Sequence, residues 1–369
     1  MIDDLSLTAL SLDGRTGPWG DWGYLLDGPG SLYAYINDNL LKRFPEIKGT
    51  FFYPLSRHGC QNTHAGYDVT YGKRDQSFKT FVERIAPVFE LAFHGTTHGR
   101  FRDPTNPSFG NWQQEFEYLT EDDIPALAKQ IREAEESLEV RLQGGKYPGC
   151  VSSAVSAHIV ELLGFKWWSG SADMINRRHA RNAHHYFGTG ERVLNVPINI
   201  GGDVFNDVLH QTPGLFGGLR PLRRKLGKLR SEMYLQYLYE KGLPITVQEH
   251  HSCMRTDGKR QTPNLFDDID SVSRIFSILR GADIWYATCT ELAQYLESYD
   301  NSRIDIQADG QAVITYAGRW ETMTLSCASE HRELVCEDTG ETVKGRYKQG
   351  RWVYDRLSPG RYSTGGHAG

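Results

Sequence analysis

From about residue 5 to residue 298, strand-like runs alternate with helix-like segments, and this alternation restricts the possible folds more than any other feature of the chain. Leu5–Asp13 is apolar, β-prone and stops at Gly14. Ser31–Phe44 has helical spacing in Leu32, Tyr35, Ile36, Leu40 and Leu41. Strands are expected at Thr50–Tyr53, Phe89–Phe93, Phe165–Ser169, Val193–Ile198, Ile245–His250 and Ile284–Ala287. Helices are expected at Ser77–Ala86, Ser152–Leu163, Arg223–Lys241, Leu265–Leu279 and Thr290–Leu296. A further helix runs to Leu138 from Thr120, with Asp123 three residues on giving a capping-box start. Repeated strand–helix units imply a parallel sheet with helices outside. Seven or eight such units suit a closed or partly closed barrel, with an open doubly wound sheet as the fallback.

After Tyr299 the pattern changes to short β-prone segments separated by turns such as Asp309-Gly310 and Thr339-Gly340, which predicts a small antiparallel β domain. The expected division is 1–298 for the barrel, 299–357 for a β-sandwich-like module and 358–369 for a disordered, Gly- and Ser-rich tail. With 39% hydrophobic and 24% charged residues, the 369-residue chain is not a disordered or fibrous one. A formal net charge of −5 gives no global basic field, which argues against a nucleic-acid partner. The 12% of aromatics fits either sugar binding or a large core. The six cysteines form no CxxC pair and are expected to be reduced thiols. No run reaches the roughly 18 apolar residues of a membrane span, and the acidic start Met1-Ile2-Asp3-Asp4 is unlike a secretory signal, so the expected location is cytoplasmic.

The sharpest chemical signal is Phe93-His94-Gly95-Thr96-Thr97-His98-Gly99, directly after an apolar strand. In a βα barrel, active sites gather where the strands end. Two imidazoles four residues apart can point at one metal ion, although an HxxxH pair also arises by chance. Asp13, ending the first expected strand, could complete such a site or simply open a turn before Gly14. Two histidines and one carboxylate leave open coordination positions for water and substrate. At the end of a late strand, Gln248-Glu249-His250-His251 offers a proton donor, because imidazole titrates near neutrality. A regular strand turns only one of His250 and His251 inward, and Glu249 could compete as a ligand or base.

These blocks resemble the polysaccharide deacetylases (NodB-homology, carbohydrate esterase family 4). The resemblance rests on an aspartate ending strand one, Thr50-Phe51-Phe52 after the first helix, and His94-Gly-Thr-Thr-His98. Lys146-Tyr147-Pro148-Gly149 looks like the family's Arg-x-Pro-Gly segment, Trp167-Trp168-Ser169 like its following strand, and Val247–His251 like the strand carrying its catalytic histidine. The similarity spans residues 5–298. It implies a deformed (β/α)7-type barrel and metal-dependent removal of an acyl group, usually N-acetyl, from a sugar. His94, His98 and Asp13 would hold one divalent ion, Zn²⁺ first, with Ni²⁺, Co²⁺ or Fe²⁺ as other fits. Asp13 would also serve as base, Lys146 would stand where the family's base-orienting arginine does, and His250 or His251 would protonate the departing amine. Tyr147, Trp168 and Glu249 would line the substrate site. The substrate would be a carbohydrate of cell-envelope polysaccharide or glycolipid assembly, nucleotide- or lipid-linked forms included.

Two departures from the family stand out. The family shows two adjacent aspartates on strand one, base then ligand, whereas Asp13 is followed by Gly14, with Asp21 on the same loop. Lysine at 146 keeps the charge of arginine but not its planar fork. A protein that kept the sugar groove and lost catalysis, or a hydrolase of non-sugar amides, are the competing functions. Apart from these blocks, Leu219–Arg230 carries six basic residues and no acid. It reads as a solvated helix face, a contact with an anionic membrane surface, or a clasp for the diphosphate of a linked sugar. Arg177–His185, rich in Arg and His, reads as an exposed loop or a second cation site.

Overall fold

The computed structural model describes residues 1–5, 32–55, 76–103, 105, 109–169, 185–187, 192–206, 220–251, 261–306, 312–316, 323–327, 332–348 and 350–364. They form two compact units, Met1–Thr290 and Glu291–Gly369.

In the first unit, β1 (Ile2–Asp3) is followed by α1 (Leu32–Ile36), which continues as a π-helical turn to Leu41. Then come β2 (Gly49–Tyr53), α2 (Gln76–Ile85), β3 (Phe89–Phe93), β4 (Gly99–Phe101) and β5 (Trp112–Gln114). Next are α3 (Glu115–Tyr118), α4 (Ile124–Leu138), β6 (Gly144–Lys146), α5 (Ser156–Leu162), β7 (Trp167–Ser169), β8 (His185–Phe187), β9 (Val193–Asn195) and β10 (Ile200–Gly201). The unit ends with α6 (Arg220–Glu240), β11 (Val247–His250), α7 (Leu265–Leu279) and the start of α8 (Cys289–Asp300).

Among the described residues, nine strands make one sheet in the order β10-β11-β1-β2-β3-β6-β7-β9-β8, parallel throughout except for β8 against β9. This is a deformed (β/α) barrel. Parallel strands are covered on both faces, which is why β2 reads Gly-Thr-Phe-Phe-Tyr and is buried at every position. Helices press one stripe inward: Leu127, Ile131, Ala134 and Leu138 of α4 recur at helical spacing and are all buried. Leu127, Ile131 and Leu138 each contribute about 1.5–3 kcal/mol by leaving water. Gly145 lets β6 lie close to its neighbours, since a Cβ there would stand 2.5 Å from the Trp168 ring and from the Phe93 carbonyl.

The second unit pairs β12 (Ser302–Ile306), β13 (Ala312–Tyr316), β15 (Glu333–Cys336), β16 (Thr342–Lys344) and β19 (Gly360–Thr364) in the order β12-β13-β19-β15-β16. A three-stranded sheet of β14 (Met323–Cys327), β17 (Arg346–Lys348) and β18 (Arg351–Leu357) shares its core, where Ile314, Leu334, Tyr354, Leu357 and Tyr362 meet.

The structure departs from the sequence pattern in three places. The first described strand is Ile2–Asp3, ahead of the Leu5–Asp13 run, and residues 6–31 lie outside the described residues. Ile284–Ala287 belongs to no sheet; the chain there is tied in by Cys289 N–H donating to the Thr50 hydroxyl (3.4 Å) and Thr290 N–H to Glu90 (3.1 Å). Gly360–Thr364, assigned by composition to a disordered tail, is β19, because Tyr362 fills the core and both edges of the strand are paired. Among the described residues, Cys150, Cys289, Cys327 and Cys336 form no disulfide with one another, and Cys60 and Cys253 lie outside the described residues. Among the described residues, no helix is long and apolar enough to cross a membrane.

Candidate active site

The strand ends of β1, β3, β6 and β11 bring together Asp3, Asp4, His94, His98, Lys146 and His250. Asp4 Oδ1 lies 3.4 Å from His94 Nε2 and 3.2 Å from His98 Nε2. The two rings meet edge to face with centroids 4.9 Å apart. His94 Nδ1 faces the Lys146 carbonyl at 3.1 Å, which fixes the tautomer that leaves Nε2 free to coordinate.

Among the described residues, these three form the one group of His, Cys, Asp or Glu whose ligand atoms lie within 4.8 Å of one another. Among the described residues, Asp4 Oδ1 is buried and, apart from the two facing imidazoles, has no hydrogen-bond donor. Two imidazole nitrogens and one carboxylate oxygen facing a common point, with that oxygen otherwise unsatisfied, fit a divalent cation. Burial pushes the Asp4 carboxyl up, but the two histidines more than reverse this and hold it well below its usual range.

Beside this triad, Lys146 Nζ forms a buried ion pair with Asp3 Oδ2. The same oxygen accepts from Gln248 Nε2 at 2.9 Å, and His250 Nε2 stands 3.8 Å away. Burial raises the Asp3 carboxyl, yet the charges of Lys146, His94 and His250 bring it below its ordinary value. Burial likewise opposes the Lys146 ammonium, while Asp3 raises it above a free lysine. Both partners are therefore charged. Phe52, fully buried, forms the floor beneath the Lys146 ammonium (5.6 Å) and the His94 ring (5.9 Å).

Two site residues sit in left-handed backbone conformations that non-glycine residues avoid, Asp4 with φ 62° and His98 with φ 67°. Each costs on the order of 1–3 kcal/mol and persists only where its surroundings impose it. For His98 the surroundings are Glu115. Its Oε1 and Oε2 accept from Thr96 N–H (2.9 and 2.8 Å), and Oε1 from the Thr96 hydroxyl (2.7 Å). Oε2 also accepts from Thr97 N–H (3.1 Å) and His98 N–H (3.0 Å). Gly95, at φ 79°, has no room for a Cβ, which would stand 2.5 Å from Glu115 Oε2.

The structure sorts the residues expected from the sequence. His94 and His98 converge. The carboxylate beside them is Asp4, while Asp13 and Asp21 lie outside the described residues. Of the two late histidines, His250 turns to Asp3, and its Nδ1 faces the Pro263 carbonyl at 2.7 Å. His251 is fully buried, with Nδ1 3.1 Å from the Asp4 carbonyl, and burial lowers its pKa to about 4, so it stays neutral.

Tyr147 and Trp168 are corrected from substrate wall to core: both are fully buried and pack with each other (5.1 Å) and with Phe116 (5.0 and 5.8 Å). Glu249 is also corrected. Alternation along β11 turns Gln248 and His250 toward Asp3 and leaves Glu249 on the other face, packed on Gly202 and buried, with neither oxygen hydrogen-bonded among the described residues. Burial, with Asp268 and Asp203 adding their charges, pushes its carboxyl well above the usual range. Arg177–His184 lies outside the described residues.

Sequence reasoning missed Asp3, Asp4 and Glu115. The adjacent aspartates were visible in Met1-Ile2-Asp3-Asp4, but a two-residue strand has no periodicity to mark it. Glu115, 17 residues beyond His98, left no signal at all.

No protein-family model matches the sequence, and no curated protein matches it. The solved structures similar to the chain include a protein described as a polysaccharide deacetylase from Mycobacterium smegmatis (16% identity, 69% of this chain and 73% of that one, TM-score 0.42). They also include the Puue allantoinase (16%, 72% of each chain, TM-score 0.42). A third is the Xyl-CE4 domain of a multidomain xylanase from the hindgut metagenome of Trinervitermes trinervoides (14%, 73% and 86%, TM-score 0.35). Polysaccharide deacetylases, the family the sequence resembles, are thus among the structures similar to this chain. All three TM-scores lie below 0.5.

Proposed function

We propose that the first unit is a metal-dependent hydrolase that removes an N-acyl group, N-acetyl first, from a sugar used in cell-surface polysaccharide or glycolipid assembly. The observation that carries this reading is the convergence of Asp4, His94 and His98 beside the buried Asp3–Lys146 pair. A divalent ion held by the three, Zn²⁺ first and Ni²⁺, Co²⁺ or Fe²⁺ next, would acidify a water and polarise the acyl carbonyl.

Asp3 then takes the water's proton. Lys146 and Gln248 keep its carboxylate ionised and aimed, the task of a base-orienting cation. His250, fixed through Nδ1 by the Pro263 carbonyl, presents Nε2 on the same side and gives a proton to the departing amine. In this assignment the base and the ligand are separate residues, Asp3 and Asp4.

The reading places the protein in the cytoplasm, against the inner face of the membrane, on a nucleotide- or lipid-linked carbohydrate. Its support is α6. Leu226, Leu229 and Met233 are 55, 50 and 64% exposed and lie on one stripe, with Lys225 and Arg230 on its two sides. Leu235 and Leu238 on the opposite side fill the core. An exposed apolar stripe between cations suits an anionic lipid surface.

The test is metal content by mass spectrometry of the unmutated protein, His94→Ala and His98→Ala, purified without chelator or a His-tag. About one ion per chain, lost in both variants, followed by turnover of N-acetyl sugars, is the expected result. No ion after loading with Zn²⁺, Co²⁺ and Ni²⁺ would overturn the hydrolase. Turnover of simple amides but of no sugar would overturn the carbohydrate class alone.

A further inference from the structure

We infer that Glu115 is the positioning residue of the metal centre: its carboxylate shapes the 94–98 loop so that His98 faces Asp4 and His94. The inference rests on the metal-dependent reading above and names the residue on which its ion affinity depends.

Three successive backbone N–H groups, of Thr96, Thr97 and His98, point at this one carboxylate, with the Thr96 hydroxyl as a fourth donor. Successive N–H groups turned to one side make a concavity for an anion. Here the chain supplies the anion itself, 99% buried at the start of α3. The concavity exists only because Gly95 and His98 both take positive φ. Without the carboxylate, three half-buried N–H groups would lose their acceptor and the left-handed turn at His98 its reason to persist.

The route by which Glu115 arrives is also built. After His98 the chain leaves along β4 and returns along β5, with Gly99 opposite Gln114 and Phe101 opposite Trp112. Phe101 and Trp112 clamp the hairpin edge to face, centroids 5.0 Å apart. Glu115 N–H then donates to the His98 carbonyl at 3.1 Å, so Glu115 and His98 are joined in both directions. Glu115 is not near Asp4 or Asp3 in any hydrogen bond or ion pair and reaches the triad only through the loop. A role that acts through another residue predicts an effect on ligand geometry rather than on proton transfer.

The experiment compares the full chain with Glu115→Gln and Glu115→Asp, each well below its own unfolding temperature. The measurements are Zn²⁺ affinity by competition titration and the visible spectrum of the Co²⁺-loaded protein. Gln keeps one acceptor but turns an amide N–H₂ toward N–H donors. Loss of an outer partner of a metal ligand costs about 10–100-fold in affinity, so Glu115→Gln should fall in that range and its Co²⁺ bands should move. Glu115→Asp, which keeps the charge, should recover part of the loss. Ile131→Ala, which removes a buried side chain of α4, serves as a destabilised control and should keep the unmutated affinity and spectrum.

Affinity and spectrum unchanged in Glu115→Gln, with the unmutated protein binding the ion, would overturn the positioning role and leave the metal centre standing. The same would follow if Ile131→Ala lost affinity in proportion to its stability. An unmutated protein that binds no ion would overturn both.

Discussion

Replacing Lys146 by methionine keeps an unbranched apolar stem one atom shorter and removes the charge that faces Asp3. Both partners of this pair are almost fully buried, at 1% and 2% exposure, so water cannot take over from the ammonium. Gln248 would remain on Asp3 Oδ2, but one neutral amide does not balance a buried carboxylate. Breaking a buried ion pair by removing one partner costs about 3–5 kcal/mol. For a unit of 290 residues, an unfolding entropy of about 2.1 cal/mol/K per residue converts this into a fall of about 5–8 °C in melting temperature. The reverse logic gives the control: Asp3→Asn with Lys146→Met leaves two neutral groups and should recover at least half of that fall. The assay is calorimetric or circular-dichroism melting of the metal-free protein at neutral pH. A single variant within 1 °C of the unmutated protein, or a double variant no more stable than the single, would refute the claim that both groups are charged and mutually dependent.

Glu249 gives a pH prediction. Its carboxyl is raised in the folded state, so below the ordinary carboxyl pKa both folded and unfolded chains hold the proton and its stability contribution is intact. As pH rises, the unfolded chain releases the proton first, and stability falls by up to about 1.4 kcal/mol per pH unit until the folded group also titrates. Glu249→Gln should thus match the unmutated protein near pH 4 and outlast it increasingly toward pH 8; parallel melting curves across that range would show that the group is not strained. On α6, Leu226→Gln with Leu229→Gln and Met233→Gln should weaken sedimentation with vesicles containing phosphatidylglycerol about tenfold or more, since each buried apolar side chain is worth on the order of 1 kcal/mol or more there. Neither protein should bind neutral vesicles, and equal binding of both to the anionic ones would refute the membrane face.

Strong periodicity made most of the scaffold legible. Phe89–Phe93 and Leu265–Leu279 are strand and helix over those same residues, because an unbroken apolar run and a capped amphipathic stripe each favour one conformation. The Thr120–Asp123 box was equally readable, and Thr120 N–H does donate to Asp123 at 2.8 Å. Ile284–Ala287 has strand composition, but pairing depends on a neighbour with a free edge, which composition does not encode. In the site, the two histidines were readable because a short spacing on one turn fixes their proximity. Asp4 was not, since its place comes from β1 pairing with β2 and β11, segments far away in the chain. Trp168 and Tyr147 misled for a related reason: aromatics that could line a sugar groove are, by sequence, the same as aromatics that fill a core.

That pairing has a bearing on how the protein is made. β1 lies between β2 and β11, although β11 follows it by almost the whole length of the first unit. In the second unit β19, the last strand in chain order, sits between β13 and β15. Ladders between such distant segments must close long loops before they gain any contact, which slows folding. On the ribosome neither sheet can be completed until its late strand has emerged. Until then β13 and β15 expose open edges of the kind that recruit other chains. A chain cut before residue 360 would keep the first sheet whole and split the second in two, so poor yield from such a fragment would reflect edge-to-edge aggregation rather than lost chemistry.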